Sequence, residues 1–218
     1  LIFLVYAVTT LISTIWLIST IPGKEKLEEA GATFATTLSL FKDKYIVSLF
    51  LGILFIVGID VGLNTTIPKL LMERTGMPVS EAGLGTSLYF AARTIGSFAG
   101  AFLLAKLSGA RFLKYSMFVA IAAFVLLLLV PDMWSMFVMI VIVGLACANV
   151  FSIIFSYALQ HKPERANEIS ALMIMGVSGG ALITPLMGIV ADGFGQVAGL
   201  SILLLCILYI CIISFRID

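Results

Sequence analysis

The sequence predicts an all-α membrane protein with seven transmembrane helices, one followed by a six-helix bundle built of two inverted three-helix repeats. Three observations lead there. Of 218 residues, 61% are hydrophobic and only 11% charged, with a mean hydropathy of +1.16. A soluble domain carries about 25% charged residues to cover its water-facing surface, so lipid must solvate most of this chain. The apolar residues also fall in continuous runs, whereas a β-barrel would show short alternating segments, and only helices and closed barrels satisfy their backbone in lipid. Finally, the basic residues cluster in alternate loops, the charge pattern of a multi-pass protein.

Spanning hydrocarbon takes roughly 20 residues of helix. Seven stretches qualify, at about 1–21, 45–71, 83–107, 112–130, 134–160, 168–191 and 197–215. The first is followed by Pro22-Gly23 and a charged loop, not by a small-residue cleavage site, so it reads as a span and not as a signal peptide. Residues 22–44 form the longest connection, in which Leu27, Phe34, Leu38 and Phe41 recur at helical spacing and predict a short amphipathic helix on the membrane face. The remaining six spans are joined by tight loops punctuated by Gly76, Pro78, Pro131, Pro163 and Gly195. Ten Lys and Arg residues fall on one side and only Lys69 and Arg74 on the other, which places residue 1 outside and residue 218 in the cytoplasm of a cell (inner) membrane.

Small residues mark where helices approach. Gly58-x-x-x-Gly62, Gly96-x-x-x-Gly100 and Gly176-x-x-x-Gly180 are close-packing motifs. The second recurs as the third 80 residues on, and Val57-Gly58 recurs as Val143-Gly144, a faint three-plus-three repeat of the kind many carriers use. The fourth and seventh spans, around 119–130 and 202–213, are almost uniformly apolar and are expected to face lipid. Cys147, Cys206 and Cys211 lie inside apolar runs and read as small buried hydrophobes; His161 has no ligand cluster near it in sequence.

Two charges stand inside the membrane, Asp60 and Arg93, at similar depth on consecutive antiparallel helices. Each costs about 2.5 to 3.5 kcal/mol at a helix centre, so such groups face the bundle interior or a wet cavity. They form either an ion pair locking two helices or part of a transport path. Asn64 shares a face with Asp60, and Tyr89 with Arg93, both at spacing four. In the fifth span Asn149, Ser152, Ser156 and Gln160 are spaced 3, 4 and 4, giving one polar stripe on an apolar helix. Such a stripe lines water, substrate or another helix. Neutral polar groups with Phe151 and Phe155 beside them suit a polyhydroxylated ligand. The substrate cavity is therefore expected to comprise Asp60, Asn64, Tyr89, Arg93, Asn149, Ser152 and Ser156. No HExxH, P-loop or nucleophile elbow occurs, so the chain reads as a non-enzyme without cofactor, and a net charge of +1 gives no nucleic-acid footprint.

The six-span block resembles the C-terminal half of the major facilitator superfamily, and within it the fucose and glucose/galactose permease group of sugar:proton symporters. The likeness rests on Ser87-Leu-Tyr-Phe-Ala-Ala-Arg93-Thr-Ile-Gly96, on Ile154-Phe155-Ser156, and on Gly179-Gly180-Ala-Leu-Ile-Thr184-Pro185-Leu-Met-Gly188 with Ala191-Asp192. The resemblance implies that residues 1–21 are the last helix of an N-terminal bundle, 22–44 a cytoplasmic interdomain loop, and 45–218 the C-terminal bundle. It also implies that the helices carrying Asp60/Asn64 and Asn149 line the central cavity. Arg93 matches an arginine of the group, whereas Asp60 falls where relatives show Glu or Gln. The implied function is secondary transport of a sugar or similar small polar solute by alternating access. The expected partners are a proton or other coupling ion, membrane lipid and the missing N-terminal half of the same carrier. A non-sugar solute such as a drug or carboxylate is the alternative among carriers. A non-transporting membrane subunit or scaffold is the alternative outside them.

Overall fold

The computed structural model describes residues 2–20 and 33–217, and the chain divides into two units, 1–31 and 32–218. In the first unit, α1 (Ile2–Ser19) is an apolar helix, shorter than the six spans of the second unit. Its hydroxyls are satisfied within the helix: Thr9, Thr10, Ser13 and Thr14 each donate to the carbonyl four residues back.

In the second unit six membrane spans are long and apolar enough to cross a bilayer, among the described residues. The first is α3 (Lys44–Thr75), capped by Asp43, whose carboxylate accepts from the Tyr45 and Ile46 amides. It ends at Gly76, whose φ of 69° is the left-handed conformation that lets the chain turn without a Cβ clash. Then come α4 (Val79–Leu104) and α5 (Gly109–Leu129). The fourth span is α6 (Met133–Cys147) plus α7 (Val150–His161), separated at Ala148-Asn149. The fifth is α8 (Ala166–Met175) and α9 (Gly179–Phe194), joined through a 3-10 turn over 176–178, and the last is α10 (Gln196–Ser214).

The sequence ended the first of these spans near 71, before its Pro68 had been left far behind; the helix continues to Thr75. Pro68 lacks the amide that would serve the Asn64 carbonyl. The Thr86 hydroxyl of α4 donates to that carbonyl instead, at 3.4 Å.

Packing follows the three-plus-three pattern. The middle span of each triplet lies against the first span of the other: α4 on α6, and α9 on α3. The outer spans do likewise, α5 on α6 and α10 on α3, and α5 and α10 meet each other. Three consecutive helices reverse the chain's direction, so the two triplets run oppositely. The glycines sit at these crossings. A Cβ on Gly144 would lie 2.7 Å from the Tyr89 carbonyl oxygen, and one on Gly179 would overlap the Leu54 carbonyl. The apolar spans expected to face lipid do so on one side and bury the other, through Leu113, Met117 and Phe124 on α5 and Leu200, Leu203 and Ile207 on α10. Uniform hydrophobicity hides that asymmetry, because lipid and core accept the same side chains. All three cysteines are buried and unbridged.

Of the expected amphipathic segment, the described residues form α2 (Phe34–Ser39) and a 3-10 turn over 40–42, both in the second unit. Phe34, Leu38 and Phe41 are exposed while Leu40 is buried; Leu27, Lys24 and Lys26 lie outside the described residues. Arg165 ties this segment to the bundle by donating to the Thr36 carbonyl (2.7 Å) and the Ser39 hydroxyl (3.0 Å).

Candidate functional site

The two membrane charges meet. Arg93 Nη1 of α4 pairs with Asp60 Oδ1 of α3, and the Tyr89 hydroxyl donates to the same oxygen at 2.7 Å. Tyr89 and Arg93 are one turn apart on α4, so both reach across one crossing. The pair is not sealed: the Arg93 and Asp60 side chains keep 19% and 15% of their surface exposed. Tyr89 differs, because its ring is fully buried, edge-on to Phe90. It touches the site through its hydroxyl only. Asn64 is exposed one turn beyond Asp60.

The stripe from Asn149 to Gln160, on the α6–α7 span, divides in two. Asn149 is buried, and its amide donates to the Gly96 carbonyl of α4 at 2.8 Å, in space that the missing Cβ of Gly100 leaves open. Its backbone (φ −107°, ψ 1°) is not helical, since it sits at the α6–α7 break. Its carboxamide is thus engaged in holding two helices together. Ser152, Ser156 and Gln160 are exposed. They line a cavity of about 260 Å³ with Leu104, Gly109 and Tyr157, and Gln160 donates to the Ser156 hydroxyl. Phe151 and Phe155 stack on each other, 5.8 Å apart and only half-buried.

Ser97, which sequence reasoning passed over, lies between these groups on α4 and reaches the α6–α7 break. It is exposed one turn from Arg93, and its hydroxyl lies 3.5 Å from the Ala148 carbonyl, at the α6–α7 break. Arg93, Ser97 and Leu104 share one face of α4 by spacing. Leu104, at the far end of that face, lines the serine-bearing cavity. The spacing of four from Arg93 was the available signal, but a serine in an apolar helix commonly bonds its own backbone, as Ser97 also does to the Arg93 carbonyl.

The chain is similar to several known proteins. A Helicobacter pylori protein provisionally named a glucose/galactose transporter is 26% identical over 186 residues, covering 83% of this chain and 46% of the relative. The glucose/galactose transporter of Brucella abortus is 23% identical over 177 residues, covering 79% and 42%. The chain thus spans about half the length of the curated relatives it matches. Among solved structures, the Major Facilitator Superfamily transporter FucP in its outward conformation superposes with a TM-score of 0.83 at 18% identity, over 99% of this chain and 53% of that one. An inward-facing bacterial homologue of the human lysosomal transporter Spinster gives a TM-score of 0.68 at 21% identity, over 91% and 53%. These structures share the fold. The family model for the superfamily, a group of transporters and not of enzymes, matches residues 1–185, and the chain belongs to the Major Facilitator Superfamily.

Proposed function

We propose that this chain is the C-terminal part of a carrier for a sugar or similar small polar solute, working by alternating access against a complementary helix bundle in a cell (inner) membrane. The observation that carries the reading is the polar surface left open on an otherwise apolar bundle: Asp60, Asn64, Arg93, Ser152 and Ser156. Ionised and hydroxyl-bearing groups facing lipid are costly, so this surface faces a wet cavity. The helix that carries Arg93 is also the least buried of the six. An uncovered helix with an ionised group calls for a further polar partner, and a second bundle supplies one.

Hydroxyls and one open ion pair suit a neutral, polyhydroxylated solute better than a net-charged one, because Asp60 and Arg93 neutralise each other. The glucose/galactose names of the curated relatives support the sugar class. A likeness to the Escherichia coli fucose:proton symporter supports coupling to protons. Tyr89 and Asn149 then act from behind the cavity, one holding Asp60 and the other the α4–α7 contact.

The test is uptake by the full-length protein in proteoliposomes under a proton gradient, with glucose, galactose and fucose against a carboxylate and a cationic drug. Ser152→Ala and Ser156→Ala are each expected to weaken sugar affinity several-fold, since one neutral hydrogen bond is worth about 0.5 to 1.5 kcal/mol. Unchanged sugar affinity in both well-folded variants would reject the cavity, and uptake of the charged solutes alone would reject the substrate class.

A further inference from the structure

We propose that the pocket between the α2–α3 link and the α7–α8 turn is a headgroup site for an anionic glycerophospholipid. Lys42, Lys44, Lys162 and Arg165 converge on a cavity of about 390 Å³ together with Ser39 and one carboxylate, Asp43. The chain brings these cations together from two segments some 120 residues apart in sequence, which a solvated loop charge does not require.

The local pairing leaves positive charge over. Asp43 Oδ2 holds the Lys162 ammonium at 2.5 Å and the His161 ring at 3.2 Å, while Oδ1 caps α3. Arg165 is fixed by the Thr36 carbonyl and the Ser39 hydroxyl, with Glu168 at 3.7 Å from its Nε. Lys42 and Lys44 make no hydrogen bond or ion pair among the described residues, and both are exposed. Two unpaired ammonium groups beside an oriented guanidinium repel one another until an anion sits between them. A phosphate diester supplies the acceptors that an Arg and lysines recognise.

Placement selects a lipid over a free anion. Lys44 is the first residue of a membrane-spanning helix, so the pocket lies at headgroup level. Phe34, Leu38 and Phe41, at 69%, 38% and 42% exposure, extend from the same segment. They offer an apolar surface for acyl chains next to the basic pocket, and basic pockets between spans on the cytoplasmic side are where acidic headgroups bind. The inference rests on the reading of this end as cytoplasmic only for which leaflet supplies the lipid.

Native mass spectrometry of the full-length protein in detergent tests it, and detergent has no leaflets, so a wrong orientation cannot cause the failure. Phosphatidylglycerol is expected to be retained in preference to phosphatidylcholine, and the double variant Lys42→Gln/Lys44→Gln to lower that retention about ten-fold or more. Lys106→Gln/Arg111→Gln, which removes two cations of another loop, should leave it unchanged. Equal loss in both double variants would reduce the effect to bulk charge. No preference for phosphatidylglycerol, or competition by millimolar inorganic phosphate that abolishes it, would overturn the lipid site.

Discussion

The Asp60–Arg93 pair gives the sharpest test, because the structure makes its two halves unequal. Asp60→Asn keeps an acceptor for the Tyr89 hydroxyl but removes the charge opposite Arg93. Leaving one partner of a buried pair uncompensated costs about 3 to 5 kcal/mol. Arg93 keeps a fifth of its side chain exposed, which argues for about 3 kcal/mol, the lower end of that range. Arg93→Gln leaves the Asp60 carboxylate with the Tyr89 hydroxyl still donating to it, and a hydrogen bond to a charged group contributes about 1.5 to 3 kcal/mol. That variant should lose less, about 1 to 2 kcal/mol. The double change removes both charges and should cost less than Asp60→Asn alone. Thermal unfolding in detergent reads this as a drop of about 6 to 12 °C for Asp60→Asn, taking about 2 to 4 °C per kcal/mol for a chain of this size. Shifts that simply add in the double variant would refute the pairing, and Arg93→Gln being the worse of the singles would refute the role given to Tyr89.

Four further outcomes are expected. Arg74 donates to the Leu128 and Val130 carbonyls at the end of α5, so Arg74→Gln should destabilise by about 2 kcal/mol, read as a lower melting temperature. Gly179→Ala should cost about 1 to 3 kcal/mol through overlap with the Leu54 carbonyl, whereas Gly188→Ala, with nothing within 4 Å of the new methyl, should be neutral or stabilising in the same melt. Asp43 is held down to about 2, first by Lys162 and then, against desolvation, by the Ile46 and Tyr45 amides and His161. Its folded pKa lies below the ordinary value, so its contribution is complete above about pH 5 and lost as pH falls toward 2; Asp43→Asn should flatten the acid side of the stability profile, and an unchanged slope would count against it. A cysteine placed within 75–80 should react with an impermeant reagent from outside and one at Gly109 only after permeabilisation; the reverse pattern would invert the proposed orientation.

Charge in an apolar run is a loud signal, and spacing by one turn is reliable inside an unbroken helix. That is why Asp60, Arg93 and the face shared with Tyr89 could be read from sequence, along with the six long spans. Asn149 lies off the face that this spacing assigns, for a physical reason. Counting 3, 4 and 4 assumes a continuous helix from Asn149 to Gln160, yet Asn149 lies at the junction of α6 and α7 with non-helical dihedrals. Its side chain turns to Gly96 while Ser152, Ser156 and Gln160 keep the common face. The glycines at 96 and 100 announce close approach but not the neighbour. The bonds from Arg74 of α3 to the end of α5, and the basic pocket, were hidden for a related reason, since both join segments more than fifty residues apart and no local pattern encodes such a partner.

The packing also constrains how such a bundle could move. At Gly144, Gly179 and Gly58 the neighbour's backbone or a β-branched side chain occupies the space a Cβ would need. Crossings this close have no room to slide past one another, because small residues let backbones touch and leave no compliant side chain between them. Rearrangement inside the six-helix unit would break several of these contacts together, so the alternating access proposed above is most economically a rocking of the whole unit. The α3–α4 pair then need not open for the bundle to move. In the carrier proposed above, Asp60 and Arg93, which keep 15% and 19% of their side chains exposed, would meet a solute hydroxyl while paired, with the Tyr89 hydroxyl holding the carboxylate from behind. A substrate that bound by splitting the pair would have to replace both charges' partners at once. A neutral polyol that bridges the intact pair does not, and this difference favours the sugar class over the charged solutes.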